Sequence, residues 1–355
     1  MGPDVDLSDS LADSLTDGPG ADLPPDWWNT AWSRRRRITF DNTQHGALQD
    51  VPVLIVLRGG RIDYARTRPQ GADIRFIDAD GTPLSYEIER WDTTGDSFVW
   101  VKVPQIDGGS ATDHIWLYHD NPGASDAQQP TLVWNAGYQA VWHLNDGFQD
   151  STLHGNHATN VGSTDAAGAV GRGRQFDGNN QYVDANYTQN LPIYTVSAWI
   201  RGAAAPVAKA GPTDAINGAL MREENYQLTW DHHDSYFRGA ASLKTTGDDW
   251  KATPFATLKG KTWYHLAATY DGYALDAYTD GQLATSVAAK PAPVSLTHSA
   301  KIGRHAFRTD IHPFLHGMVD EVRICSVVRS ADWIAVQHQS MTDTLASFGG
   351  EERWP

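Results

Sequence analysis

Two short runs concentrate ionisable groups. "DEVRI" at 320–324 sets Asp320 beside Glu321, and "YEIERWD" at 86–92 sets Glu87 two residues before Glu89. Cleavage of a glycosidic bond needs two carboxylates flanking one bond. Both runs read as strands, in which successive side chains point to opposite faces. Asp320 then shares a face with Met318, Val322 and Ile324, while Glu321 falls on the other face with Val319 and Arg323. On that alternation the adjacent acids do not form a pair. A carboxylate among apolar side chains is costly unless something pairs with it. Asp320 therefore serves catalysis, a metal, or a local hydrogen bond. Glu87 and Glu89 do share a face. No Gly-x-Ser-x-Gly, His-Glu-x-x-His or phosphate loop is present.

The histidines make a weak case for a transition metal, which needs three or more converging ligands. His312 and His316 are four apart, a spacing that aligns ligands on a helix, but Pro313 lies between them. His143 and His265 sit in predicted strands and read as packed or hydrogen-bonded. Saccharide sites use exposed aromatic rings beside polar groups that fix orientation. "WDHHDSYF" at 230–237 mixes the two, so Trp230, Asp231, His232 and Tyr236, with nearby Tyr226 and Trp250, are the candidate ligand residues. Trp142, Trp199 and Trp263 read as core. Arg34 to Arg37 is either a patch for a polyanion or a strand whose charges split between two faces and pair with acids. Strand alternation favours the second.

The elements that must carry these residues are strands. "DVPVLIVL" (50–57), "ADIRFIDADG" (72–81), "SYEIERWD" (85–92), "SFVWVKVP" (97–104) and "DHIWLYHD" (113–120) are β-rich runs between turn formers. Their spacing of roughly 12 to 20 residues suits an antiparallel sandwich. "NPGASDAQQPTLVWNAG" (121–137) breaks the pattern and places a boundary near 133. A second series runs from "QAVWHLND" (139–146) to "GMVDEVRI" (317–324). Two Asp-Gly turns, at 271–272 and 280–281, mark hairpins there. "SADWIAVQHQS" (330–340) is one helix, with Ser330 at its N-cap and Asp332 in its first turn.

The chain of 355 residues has 14 Trp, 32 Gly and a net charge of −15. Seven Asp and no Lys or Arg fall in residues 1–26, a disordered tether composition. So acidic a chain repels nucleic-acid phosphates. The single Cys325 excludes an internal disulfide and reads as a buried or half-buried thiol. No apolar run is long enough to span a membrane, and "MGPDVDLSDS" is no signal peptide.

Several segments resemble known families. "VWHLNDGFQDSTLHGNHAT", "GRGRQFDGNNQYVDA", "YTVSAWIRG", "TWYHLAATYDGYALDAYTDGQ" and "HGMVDEVRI" with "SADWIAVQHQ" resemble, in order, the pieces of a laminin-G-like, concanavalin-A-like jelly roll of bacterial surface proteins. "WSRRRRITFDN", "GADIRFIDADGTPLSYEIERWD" and "IWLYHDNPGA" resemble a domain of unknown function, the DUF2341 type, that often precedes such jelly rolls. The expected organisation is an acidic tether (1–26), a β-sandwich (27–132) and a jelly roll (133–355). The resemblance implies a structural calcium held by Asp320, Asp150 and Asn156, with Asp146 and Asp177 as further ligands. The alternative is a hydrogen bond from a Gly-rich loop to Asp320. Related glucanases need paired carboxylates on one strand face, as in Glu-x-Asp-x-x-Glu; the jelly roll has no such run, and Glu87 with Glu89 fall in the first domain, outside that resemblance. The resulting expectation is a non-catalytic extracellular or cell-surface protein, with a glycan as partner. A tethered lipoprotein is one form of anchoring. A structural or adhesive role with protein partners is the alternative, and a polysaccharide hydrolase or lyase the third.

Overall fold

A computed structural model describes residues 27–145, 147–203, 215–222, 225–233, 236–305 and 314–354, with backbone alone at 215–218, 230–233 and 236–238. The chain is all-β apart from short helical turns and the helix Ala331–Met341.

The strand series before residue 120 folds into two facing sheets. One runs Ala346–Arg353, Arg34–Phe40, His114–His119, Arg75–Asp78 and Pro83–Leu84 in spatial order. The other runs Leu48–Leu57, Ser97–Ile106 and Tyr86–Arg90. Neighbouring strands are antiparallel. Their inward residues, among them Ile38, Phe40, Val53, Ile55, Val99, Val101, Ile115 and Leu117, form one core.

One strand of this sandwich comes from the far end of the chain. The expected jelly roll extends to residue 355, but Ala346–Arg353 pairs with Arg34–Phe40 in the N-terminal sheet. The four-arginine run explains the pairing. Arg34 meets Asp120 at 3.0 Å and also bonds Glu351. Arg35 meets Glu352 at 2.8 Å while its guanidinium lies 3.8 Å from the centre of the Trp116 ring. The acids that neutralise the run thus sit mainly on the last strand.

The second series builds the other sandwich. Its larger sheet runs Thr164–Ala167, Arg172–Asp177, His316–Cys325, Tyr194–Gly202, Tyr264–Tyr270, Ala274–Thr279 and Gln282–Ala288, with Tyr138–Trp142 pairing off His316–Cys325. The facing sheet runs from Trp250–Pro254 through Tyr236–Lys244, Tyr226–His233 and Ala215–Arg222 to Thr159–Val161. Trp142 is in the core between them; Trp199 is buried on the outer side of the larger sheet, and Trp263 is partly buried against that same packing. The 280–281 turn is as expected: Asp280 and Gly281 both have positive φ, as a two-residue hairpin loop requires.

The two sandwiches share apolar packing. Val141, Trp199, Ala267, Tyr278 and Cys325 on the outer face of the larger sheet, with Val170 from the loop before Arg172–Asp177, join the N-terminal core. The helix Ala331–Met341 seals this seam. Ser330 caps it by accepting from Trp333 N, Ser340 Oγ accepts from Leu54 N at 2.6 Å, and Gln337 donates to Pro52 O at 2.5 Å.

Deletion of residues 346–355 removes one of the two strands flanking Arg34–Phe40 and takes Glu351 and Glu352 from Arg34 and Arg35. We expect a loss of about 3 kcal/mol, a few net hydrogen bonds, in urea denaturation. An unchanged midpoint would show the last strand to be dispensable.

Candidate functional site

The seam holds a buried cluster of ionisable groups. Strict alternation along 314–324 predicted Asp320 and Glu321 on opposite faces, and the structure corrects this. The register between His316–Cys325 and Tyr194–Gly202 shifts between Ser197 and Trp199, and Glu321 takes a φ of 50°. This bulge inserts one extra residue and turns two successive side chains the same way. Val319, Val322 and Ile324 face the C-terminal core, while Asp320, Glu321, Arg323 and Cys325 are buried outside it. A second irregularity falls at Glu89, between Ile88 and Arg90 on the facing strand.

Glu87 and Glu89 approach from the N-terminal sandwich. His143, just past Tyr138–Trp142, approaches from the C-terminal one. His143 Nδ1 lies 2.7 Å from Glu321 Oε1 and 3.5 Å from Glu89 Oε2, and its Nε2 lies 3.3 Å from Glu87 Oε2. Trp134 Nε1 donates to Glu87 at 2.5 Å, Ser151 Oγ donates to Glu87 at 2.6 Å, and Trp100 Nε1 donates to Glu89 Oε2 at 2.8 Å. Arg323 pairs with Glu321 at 2.5 Å, donates to Gln337 at 2.7 Å, and lies over the rings of Trp100 and Trp134. The side chains of Glu89 and Glu321 are fully buried and that of Glu87 is 12 % exposed.

Burial and mutual repulsion divide these acids. Desolvation, with Glu321 close by, pushes Glu89 up to about 8. Desolvation, then Glu321 and Glu89, holds Asp320 well above the ordinary carboxylate range. For Glu321 burial acts upward but His143 and Arg323 outweigh it, so it titrates low. Glu87 behaves likewise through His143 and its hydrogen bonds. Burial disfavours the imidazolium, yet Glu321, Glu87 and Glu89 hold His143 well above its usual value. With Glu89 and Asp320 neutral, two anions face two cations.

Two family models match the chain. Residues 70–159 match the domain of unknown function DUF2341, and residues 177–335 match the concanavalin A-like lectin/glucanases superfamily. The chain carries both domains in the expected order. The DUF2341 match runs past residue 133 and includes His143 and Ser151, so the sequence of that family model takes in part of the seam. No curated protein matches. Solved structures are similar to part of the chain. Domain 4 of AbnA, an extracellular arabinanase from Geobacillus stearothermophilus in complex with arabinotriose, is 17 % identical with a TM-score of 0.43, over 57 % of this chain and 98 % of that one. The binding domain of Paraclostridial Mosquitocidal Protein 1 is 10 % identical with a TM-score of 0.47, over 57 % and 52 %. The botulinum neurotoxin serotype D ligand binding domain in complex with N-acetylneuraminic acid is 14 % identical with a TM-score of 0.43, over 59 % and 52 %. The chain thus spans about half of each of those two toxin domains.

Of the expected calcium ligands, Asp150 and Asn156 are neighbours, but Asp320, Asp150 and Asp177 form no convergent group of acids among the described residues; the one such group is Glu89, His143 and Glu321. Asp320 accepts from Val170 N and from Glu321 N, each at 2.9 Å. Its loop is 168–173, not 146–156, and a side chain on Gly168 would collide with its carboxylate. Asp150 accepts from Val141 N, Thr152 N, Thr152 Oγ1 and Asn156 N. Asn156 donates to Gln139 O, and Asp177 accepts from Asn179 in an exposed turn. Donors already occupy these carboxylates, so they do not fit a calcium. Asp146 and His312 lie outside the described residues.

Of the candidate aromatic residues, Tyr226 is a core ring, wholly buried and edge-on to Tyr194, because its strand turns that face inward. Trp250 is exposed on the edge strand Trp250–Pro254. Trp230, Asp231 and His232 lie on Tyr226–His233, and Tyr236 pairs with His233, but their side chains are outside the described residues. Sequence reasoning paired Glu87 with Glu89 on one face but missed His143 and Glu321 as their partners. No local pattern joins positions 56 and 178 residues from His143.

The cluster predicts a pH signature in EDTA-treated protein. Glu89 is raised in the folded state, so its protonated form favours folding and stability falls between its unfolded value of 4.5 and about 8. His143, raised from 6.5, adds to the fall as pH climbs toward its folded value. Glu87 and Glu321, held low, remove stability only on the acid side of 4.5. Urea midpoints should drop from about pH 5 to about pH 9, and Glu89→Gln should flatten the decline. A rising profile contradicts this. Asp150→Ala, by orphaning several donors, should cost about 3 kcal/mol, equally in calcium and in EDTA. A cost seen only with calcium would restore the metal reading.

Proposed function

We propose that this chain is a non-catalytic extracellular or cell-surface binding protein whose lectin-like domain takes carbohydrate. The observation that carries the reading is Trp250. It is the one exposed tryptophan among the described residues, 47 % accessible on a sheet edge, while Trp100, Trp134 and Trp142 are fully buried. A large ring left in water marks a contact surface, and its apolar face suits the C–H face of a pyranose. It pairs with Lys244 across the edge, and Lys251 and Asp249 form an ion pair beside it, supplying polar groups at its rim.

The non-catalytic part rests on access. The acids that converge among the described residues are sealed between the two domains, where no polysaccharide reaches them. The surface location is supported by the acidic, Asp- and Ser-rich segment 1–26, a tether composition. No helix among the described residues is long and apolar enough to cross a membrane.

A glycan array tests the reading. We expect the wild-type chain to bind a defined set of saccharides, and Trp250→Ala to weaken binding tenfold or more, as loss of an aromatic anchor does, with an unchanged melting temperature. Equal binding by the variant, or no saccharide bound, counts against it. Release of reducing ends from a polysaccharide panel would remove the non-catalytic part.

A further inference from the structure

The seam cluster also has the make-up of a metal site. One ligand-type atom from each of Glu89, His143 and Glu321 lies within 4.8 Å of the other two. Three further observations point the same way. Glu89 Oε1 has no hydrogen-bond partner although its side chain is fully buried, so a strong acceptor stands unused inside the protein. The outer nitrogen of the imidazole, His143 Nε2, faces Glu87 Oε2 at 3.3 Å, and Trp134 and Ser151 fix that carboxylate in turn. A ligating histidine commonly donates its second N–H to a carboxylate in this way. Finally, Arg323 engages Glu321 through Oε2, while Oε1 is the oxygen turned to His143 Nδ1.

We propose that Glu89, His143 through Nδ1, and Glu321 bind one divalent transition cation of the zinc class, with Glu87 holding the imidazole from behind. The donor chemistry sets the class. One imidazole and two carboxylates suit zinc, manganese or ferrous iron, whereas calcium wants six to eight oxygens. Charge balances: two carboxylates neutralise the dication and the imidazole is neutral. Binding therefore expels the Nδ1 proton and the proton held by Glu89 to solvent. Glu89 comes from the DUF2341 sandwich, and His143 and Glu321 flank it from the lectin-like side, so the ion bridges the seam and acts as a fastener between the two domains.

Tag-free, chelator-treated full-length protein is refolded and titrated with zinc by calorimetry, and with cobalt by visible absorption. We expect one equivalent of zinc to bind, with proton release and a higher melting temperature, and cobalt to give the intense spectrum of a low-coordinate N/O site. Glu89→Gln and His143→Gln should each weaken zinc binding a hundredfold or more, and Glu87→Gln about tenfold through the imidazole. Metal-free melts of the variants report their folding. Should a variant not fold, the wild-type stoichiometry and cobalt spectrum decide alone. The proposal is overturned if the wild type takes up no zinc, if Glu89→Gln binds it as the wild type does, which assigns binding to surface histidines, or if cobalt keeps the weak spectrum of its hydrated ion. None of these outcomes depends on saccharide binding.

Discussion

Everything at the seam answers to one constraint: carboxylates removed from water must find positive charge or give up their own. Four acids, Glu87, Glu89, Asp320 and Glu321, are buried there with one arginine and one histidine. Isolated buried charges are far more costly than buried pairs. The arrangement follows from that inequality. His143 is placed between three carboxylates, Arg323 sits against Glu321 and two indole faces, and Glu89 and Asp320 are left to hold protons. The indole N–H groups of Trp100 and Trp134 are spent on acids as well. The tryptophans thus supply apolar bulk and hydrogen-bond donors at the same place, which few other side chains do.

The two strand irregularities are the means by which the backbone meets this demand. A regular strand offers one polar side chain per two residues to a given face. At Glu321 the bulge presents Asp320 and Glu321 together, and the Asp320 carboxylate steadies the turn by accepting the Glu321 N–H. Glu89 occupies the matching irregularity across the seam. The polar cluster is therefore built into both backbones. The apolar packing around it, continuous from Ile38 and Val99 to Trp199 and Cys325, keeps water out and makes the electrostatics matter.

Much of the fold was legible in local pattern. The β-rich runs, the Asp280–Gly281 turn and the Ser330 cap each follow from residues adjacent in sequence. The motif order identified both families. What escaped was anything set by long-range contact. The bulge at Glu321 has no glycine or proline to announce it, so counting by twos sent Asp320 to the wrong side, among Val322 and Ile324. His143 looked like any strand histidine because its carboxylates come from distant strands. Tyr226 read as a candidate ligand ring because burial of its strand depends on the sheet above it. The calcium ligand set came from resemblance, and the loop 150–156 proved to be organised by Asp150 accepting its own backbone donors.

The pairing of the last strand with the first has a consequence for how the protein is made and mounted. Arg34 lies opposite Arg353, so the N-terminal sheet lacks its edge strand until residues 346–353 have been made. The lectin-like domain has its strands complete by Cys325, before that edge strand is made. In topology it is a domain inserted between two strands of the other. Both ends of the folded body emerge from one sheet edge, so a linker at either terminus would suspend the molecule from the same corner.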